Sequence, residues 1–212
     1  MLSFEFAPPV YHGAMDTPLD PPLAALREEL REATQEVRRL VDSTDRSTWA
    51  KAPGPQRWSV AECVVHLNLT SEAYLPLLQH AIGQGRQKGH SGGRYGYDLT
   101  GRLLRWLIEP PVRIGVKTKP PFVPTGPMVK ESVKAEFVAF QEQLEAQLAD
   151  ANGLDLTALK VLSPFSALIR YNVFSAFKIL TAHQRRHVWQ ARRALEALGA
   201  SRKANSISEP GA

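Results

Sequence analysis

The 212 residues are 43% hydrophobic and 22% charged, as in an ordinary globular domain, and this composition excludes disorder over most of the chain. A single cysteine, Cys63, excludes an internal disulfide and a cysteine-rich zinc module. No run approaches the roughly 20 apolar residues of a membrane-spanning helix, and the first residues lack the basic and apolar blocks of a secretory signal. A cytoplasmic protein without a membrane partner is therefore expected.

The net charge of +5 is concentrated in one segment. Residues 84–119 carry eight Lys or Arg against two acids, a net charge of +6, so the rest of the chain sums to −1. One basic segment on a near-neutral body is more typical of a local anion site or a solvated loop than of a nucleic-acid-binding surface.

The first half of the chain predicts two long helices. Residues 1–19 lack periodicity and predict an irregular N-terminal arm. Apolar residues at three- and four-residue spacing from Leu23 to Val41 predict the first helix. Ser59 followed by Glu62 is the capping-box pattern, so a second helix is predicted from Ser59 to His80, with a bend at Pro76.

A long insert follows the second helix. Seven of the 14 glycines lie between Gly83 and Gly101, which predicts a flexible loop. Residues 110–127 hold six prolines, which predict a rigid, extended connector. A short helix is predicted between them, over 99–108. Residues 83–127 therefore form a Gly/Pro-rich insert between the second and third long helices.

The second half of the chain predicts two more long helices. Apolar spacing predicts one over 128–148 and another over 172–198, with Pro164 as a candidate start and Gly199 as the candidate C-cap. Residues 200–212 are polar and predict a flexible tail. No strand alternation is evident. Four long helices with one long crossover predict an all-α four-helix bundle over residues 20–199.

Two of the six histidines form a pair. His183 and His187 lie four residues apart in the sequence HQRRH, so both rings project from one helix face. A zinc-protease signature needs Glu after the first histidine as the general base. The residue here is Gln184, which disfavours peptide-bond hydrolysis of that type. A histidine pair alone is more often an ordinary polar pair than a metal site.

A third histidine changes this interpretation. His66 lies within the apolar stretch VVHL, and a buried ring without a partner costs about 1–3 kcal/mol. Either His66 hydrogen-bonds to a carbonyl or carboxylate, or it faces His183 and His187 across the bundle. Three imidazoles would form an open site for a divalent transition metal such as Zn, Ni, Cu or Fe, rather than Mg or Ca.

Both histidine segments resemble one family. Residues 57–67, RWSVAECVVHL, resemble the W-S-x-x-E-x-x-x-H-L signature of the DinB/YfiT-like superfamily, and residues 183–190, HQRRHVWQ, are similar to its H-x-x-x-H-x-x-Q signature. The resemblance covers about residues 20–198. It implies a four-helix bundle in which His66, His183 and His187 bind a divalent metal, with Zn or Ni as the expected ion.

The resemblance also implies a class of activity. Members of this superfamily include thiol-dependent S-transferases, and others are classed only as metal-dependent hydrolases. A small-molecule substrate, a low-molecular-weight thiol cosubstrate and a homodimer are therefore expected.

Other residues are candidates for supporting roles. Glu62 lies one turn before His66 and is a candidate acceptor that orients its ring, or else belongs only to the capping box.

Arg94 and Arg102 are candidates for binding an anionic cosubstrate if the insert forms a lid, or else they only solvate a loop. Trp58 is predicted to anchor the helix start. A solvated helix face is predicted for Arg185, Arg186, Arg192 and Arg193.

A second function remains open at this point. The chain can also be interpreted as a non-enzymatic helical-bundle module whose basic insert docks a protein or, less favoured, a nucleic acid. A continuous exposed stripe of Arg86, Arg94, Arg102 and Arg105 would support the module, and an open metal position at the three histidines would support an enzyme.

Overall fold

The computed structural model describes residues 18–111 and 117–208. The predicted arm up to residue 17 and the last four residues lie outside the described residues. The elements in chain order are α1 (Pro21–Ser43), α2 (Arg46–Trp49), α3 (Val60–Gln87), α4 (Leu99–Ile108), a 3₁₀ turn (Pro120–Phe122), α5 (Lys130–Asp150), β1 (Lys160–Ser163), β2 (Ser166–Asn172) and α6 (Val173–Ser208).

Four long helices form the bundle, which confirms the predicted all-α fold. α1 packs against α5 and α6, and α3 packs against the same two helices, so α1 and α3 lie on opposite corners. α1 runs parallel to α6, because Glu29 contacts Lys178 and Glu36 contacts Arg192. No helix of the described residues is long and apolar enough to cross a membrane.

The direction of α5 explains the long insert. Asn68 hydrogen-bonds to the carbonyl of Val133, and Gln147 hydrogen-bonds to the carbonyl of Leu75, so α3 and α5 run in the same direction. Two neighbouring parallel helices need a connection that returns along the whole bundle. The insert makes this return, and its helix α4 packs along α6 on the way.

Two helices are longer than the sequence predicts. α3 continues to Gln87 through Gly83 and Gly85, which were assigned to the flexible loop. Gly85 is buried, and a Cβ built on it would lie 2.6 Å from Cδ1 of Leu159, so this glycine serves close packing. α6 continues through Gly199, the predicted cap, to Ser208.

The sequence analysis missed a short β-hairpin. β1 and β2 pair antiparallel with a register shift at Leu162 and Ser163. Pro164, the candidate helix start, lies in the turn between them. Val161 and Tyr171 face the interior while Leu168 faces solvent. Strands of four and seven residues are too short for their alternation to stand out beside the adjoining helical pattern.

The interior consists of two apolar clusters separated by polar residues. One cluster contains Leu30, Leu148 and Phe177, and the other contains Val64 and Phe137. On α6, the first cluster ends at Leu180 and the second begins at Val188. The buried polar residues of this boundary region include Asn68, Gln141, Thr181, Gln184 and His187.

One close contact between α4 and α6 gives a stability prediction. A Cβ built on Gly101 would lie 2.2 Å from both Cβ and Oγ of Ser175. Alanine normally stabilises a helix relative to glycine by about 1 kcal/mol, but here it must push α4 away from α6. We expect Gly101→Ala to destabilise the protein by about 1–3 kcal/mol in urea unfolding.

Gly83→Ala is the matched control. Gly83 also lies inside a helix, and a Cβ built on it meets no atom within 4 Å. This variant should gain about 0.5–1 kcal/mol. A Gly101→Ala variant at least as stable as the wild type would contradict the predicted close packing.

Candidate metal centre

Two adjacent helices bring the three predicted histidines together. His66 lies in the second turn of α3, and His183 and His187 lie one turn apart on the facing side of α6. The Nε2 atom of His183 is 3.2 Å from Nε2 of His66 and 3.1 Å from Nε2 of His187. His66 and His187 are buried, with 3% and 6% of their surface exposed, and His183 retains partial exposure.

This spacing fits a metal ion. A zinc ion bound at about 2.0–2.1 Å by imidazole nitrogens in tetrahedral geometry separates those nitrogens by roughly 3.3 Å. The ligand atoms of the three rings all lie within 4.8 Å of one another. His66, His183 and His187 therefore form a group that can hold a divalent ion through three neutral nitrogens.

The backbone fixes the orientation of His66. Its Nδ1 lies 2.7 Å from the carbonyl oxygen of Phe122. A carbonyl only accepts hydrogen bonds, so Nδ1 carries the proton and Nε2 presents its lone pair to the other two rings. The other rings lack this support, because Nδ1 of His183 and Nδ1 of His187 are buried and have no hydrogen-bond partner among the described residues.

The three rings are neutral at neutral pH. Burial holds the pKa values of His183 and His187 well below the ordinary value, and repulsion from a neighbouring ring when that ring is protonated and from Arg186 adds to this effect. Burial also lowers the pKa of His66, although the hydrogen bond to Phe122 opposes this effect. The Gln190 side chain also opposes the lowering of the His187 pKa, although its geometry toward this ring falls short of a hydrogen bond. Neutral imidazoles are the form that binds metal.

Aromatic side chains wall the centre on two sides. The Trp58 ring stacks on His187 with centroids 5.6 Å apart and lies 4.9 Å from the His66 ring. On another side, the Phe165 ring lies 5.8 Å from His183 and 4.6 Å from Phe122. Such walls lower the local dielectric, which strengthens electrostatic interactions at the histidines.

Family comparison agrees with this arrangement. The family model of the DinB superfamily matches residues 29–191, which include all three histidines, the whole of α3 and α5, and parts of α1 and α6. The chain belongs to the DinB superfamily. No curated protein and no solved structure matches it significantly.

The DinB signature residue Glu62 lies in the capping box. Its Oε2 accepts hydrogen bonds from the backbone nitrogen and the hydroxyl of Ser59, at 2.7 and 2.8 Å. The acceptor that orients His66 is the carbonyl of Phe122, so the structure assigns the orienting role to Phe122 and not to Glu62. The neighbouring Cys63 is 1% exposed, packs in an apolar cluster, and has a pKa raised by burial.

Variants at the cap separate these two roles. Glu62→Gln keeps the capping-box pattern, so we expect metal affinity within about twofold of wild type and stability within about 0.5 kcal/mol. Ser59→Ala should cost about 1 kcal/mol of stability, because the helix loses its N-cap acceptor. Titration calorimetry and urea unfolding measure the two effects. A Glu62→Gln variant with tenfold weaker metal binding would restore Glu62 as the orienting acceptor.

The arginines of the insert lie away from this DinB metal centre. Arg94 follows the C-terminal end of α3, roughly 30 Å from His66 at about 1.5 Å per helical residue, and it pairs with Asp155. Arg102 points to solvent on α4. The predicted lid of Arg94 and Arg102 over the histidines is therefore not formed. The proline-rich half of the insert covers the three histidines instead, through Phe122.

A charged network holds this cover beside the histidines. Arg185, between the two histidines of α6, donates two hydrogen bonds to Glu109, at 2.6 and 2.9 Å, just where α4 ends. It also contacts Glu29 of α1 at 3.2 Å. Burial would raise the pKa of Glu109, but the pairing with Arg185 lowers it below its ordinary value. Arg185 thus has a structural role, contrary to the predicted solvated face.

Sequence reasoning missed other contributors to the centre. Phe122 acts through a carbonyl, which every residue carries, so its identity gave no signal. Phe165 lies in the missed hairpin. Arg186 was assigned to the solvated face, yet its charge reaches the histidines. Trp58 was expected only to pack at the helix start. Its place in the family signature, two residues before α3 begins, was the available clue that it lies beside the histidines.

Proposed function

We propose that this DinB chain is a metal-dependent enzyme of the thiol-dependent S-transferase or hydrolase type, using Zn or Ni. The observation that carries the proposal is the convergence of three neutral Nε2 atoms from two helices, at 3.2 and 3.1 Å. A divalent ion bound by three imidazoles keeps its full +2 charge and open positions, and it lowers the pKa of a bound thiol or water.

The residues of the chain have distinct parts in this function. His66, His183 and His187 hold the ion, and the carbonyl of Phe122 keeps the His66 proton on Nδ1. Trp58, Phe122 and Phe165 limit the access of water around the rings. His183 is the ligand with partial exposure, so the substrate approaches from its side.

The charges of the insert support an enzyme over a docking module. A nucleic-acid or acidic-protein site would need a stripe of available cations. Instead, Arg86 pairs with Asp150 at 2.9 Å, and Arg94 pairs with Asp155 at 3.8 Å. Arg105 pairs with Glu109 at 3.4 Å. Three of the four arginines of the expected stripe are thus engaged within the chain.

Cobalt substitution tests the proposal without a known substrate. Co²⁺ takes the same nitrogen ligands as zinc and reports its coordination by absorption. In the transferase form, adding a small thiol produces a sulfur-to-cobalt charge-transfer band in the wild type. In the hydrolase form, no band appears, but the cobalt spectrum titrates with a bound water of pKa near 7.

A matched pair of variants controls for adventitious cobalt. His66→Ala should lose either signal, whereas His80→Ala, an exposed histidine that contacts Gln84, should retain it. A cobalt-loaded wild type that shows neither a thiol band nor a titration between about pH 6 and 9 would refute the proposed enzyme.

A further inference from the structure

Helix α4 has one face against the bundle. Gly101 meets Ser175 of α6, and Leu104 and Ile108 pack against the main apolar cluster. This face accounts for the attachment of α4 to the domain.

The opposite face of α4 is also apolar. Leu99, Leu103 and Trp106 follow at i, i+4 and i+7, and they are 83%, 57% and 55% exposed. The outward face of a surface helix is normally polar. Three large apolar side chains in one exposed row indicate a contact surface.

A cation lies within this row. Arg102 is exposed, one turn from both Leu99 and Trp106, and no acid of the described residues pairs with it. The nearby acids are engaged elsewhere, since Asp98 pairs with Lys160 and Glu109 pairs with Arg185. Leu99, Arg102, Leu103 and Trp106 together are called the α4 face below.

The neighbouring strand repeats the same combination. β2 packs beside α4, and its outward residues are Leu168, which is 94% exposed, and the exposed Arg170. Protruding leucines thus lie beside cations on two adjacent elements, and no acid in the described part of the chain pairs with either cation.

We propose that the α4 face binds the surface of an anionic lipid bilayer. The leucines and the tryptophan enter the boundary between headgroups and acyl chains, and Arg102 contacts the anionic headgroups. The helix lies along the surface and does not span the bilayer. The sequence-based expectation of no membrane partner rested only on the lack of a spanning segment.

Size and charge favour lipid over the other occupants. α4 is only about 15 Å long. One face of so short a helix offers less than the area of about 800 Å² that each partner buries in a stable dimer. A second copy would also bring arginines together without opposing acids. A nucleic acid would neutralise Arg102 but would leave the protruding leucines in water, since its backbone offers them no apolar surface.

Vesicle co-sedimentation tests the proposal. The full chain is mixed with vesicles of phosphatidylcholine containing about 30% phosphatidylserine, and with vesicles of phosphatidylcholine alone. We expect the wild type to sediment with the anionic vesicles at least about tenfold more strongly. Leu99→Gln/Leu103→Gln should weaken this binding about tenfold or more. Arg102→Glu should weaken it on anionic vesicles only.

Two variants match these changes elsewhere on the surface. Val129→Gln replaces a side chain that is 57% exposed at the start of α5, and Arg38→Glu reverses an exposed charge on α1. Both should bind like the wild type. Circular dichroism confirms that all variants are folded.

Two results would overturn the proposal. The first is a wild type that does not sediment with anionic vesicles, and the second is equal binding by the wild type and the Leu99→Gln/Leu103→Gln variant. In the first case, a wild-type dimer in light scattering that this double variant converts to monomer would assign the α4 face to a second copy.

Discussion

His183→Ala is expected to weaken metal binding at least about 100-fold. His183 is the central ring of the group, since its Nε2 lies 3.2 Å from that of His66 and 3.1 Å from that of His187. The two remaining nitrogens would leave at least two positions of a four-coordinate ion to water. Competition titration with Zn²⁺ or Co²⁺ against a chromophoric chelator measures the loss.

The folded state of the variant should persist without metal. His183 donates no hydrogen bond from its buried Nδ1, and its removal relieves the crowding of ring nitrogens. The His80→Ala variant, at an exposed position of α3, should bind metal like the wild type. Full metal occupancy of the His183→Ala protein after dialysis would show that the three histidines are not the ligands.

Acid should destabilise the metal-free protein strongly. Burial holds the folded-state pKa values of His183 and His187 well below 6.5, the ordinary value that applies in the unfolded chain. Above this value the rings are neutral in both states, so stability is complete. Below it the unfolded chain takes up protons that the folded chain does not, so the free energy of unfolding falls as the pH falls.

The expected loss is large enough to measure. A histidine that stays neutral in the folded state down to pH 5 would contribute at most about 2 kcal/mol between pH 7 and pH 5, because its ordinary pKa is about 6.5. Urea unfolding with a chelator present gives this quantity. Bound metal should add stability near pH 7, and this gain should shrink in acid because protons compete for the same nitrogens.

A double variant identifies the source of the acid sensitivity. His183→Leu/His187→Leu removes both rings, so its stability should change much less between pH 7 and pH 5 than that of the wild type. An unfolding free energy of the chelated wild type that stays constant or rises over this interval would contradict buried, neutral histidines.

The three histidines of the candidate centre were identifiable from the sequence because their signals are local. The spacing of His183 and His187 places both on one helix face, and Ser59 with Glu62 defines where the helix carrying His66 begins. Family resemblance then joined the two segments, and the match to the DinB superfamily over residues 29–191 confirms that resemblance. The prediction that Arg94 and Arg102 form a lid was wrong because the charge of a segment does not specify which end of a bundle that segment reaches.

The sequence by itself determined the four amphipathic helices, the cap of α3 and the three histidines, since each depends on residues within a turn or two of one another. Only the tertiary structure decided that α3 and α5 run parallel, that Gly85 packs against Leu159, and that Arg185 joins Glu109. It also decided that the carbonyl of Phe122, 56 residues from His66, orients the ligand. A backbone oxygen has no residue identity, and only the packing of distant segments selects which one a buried ring meets.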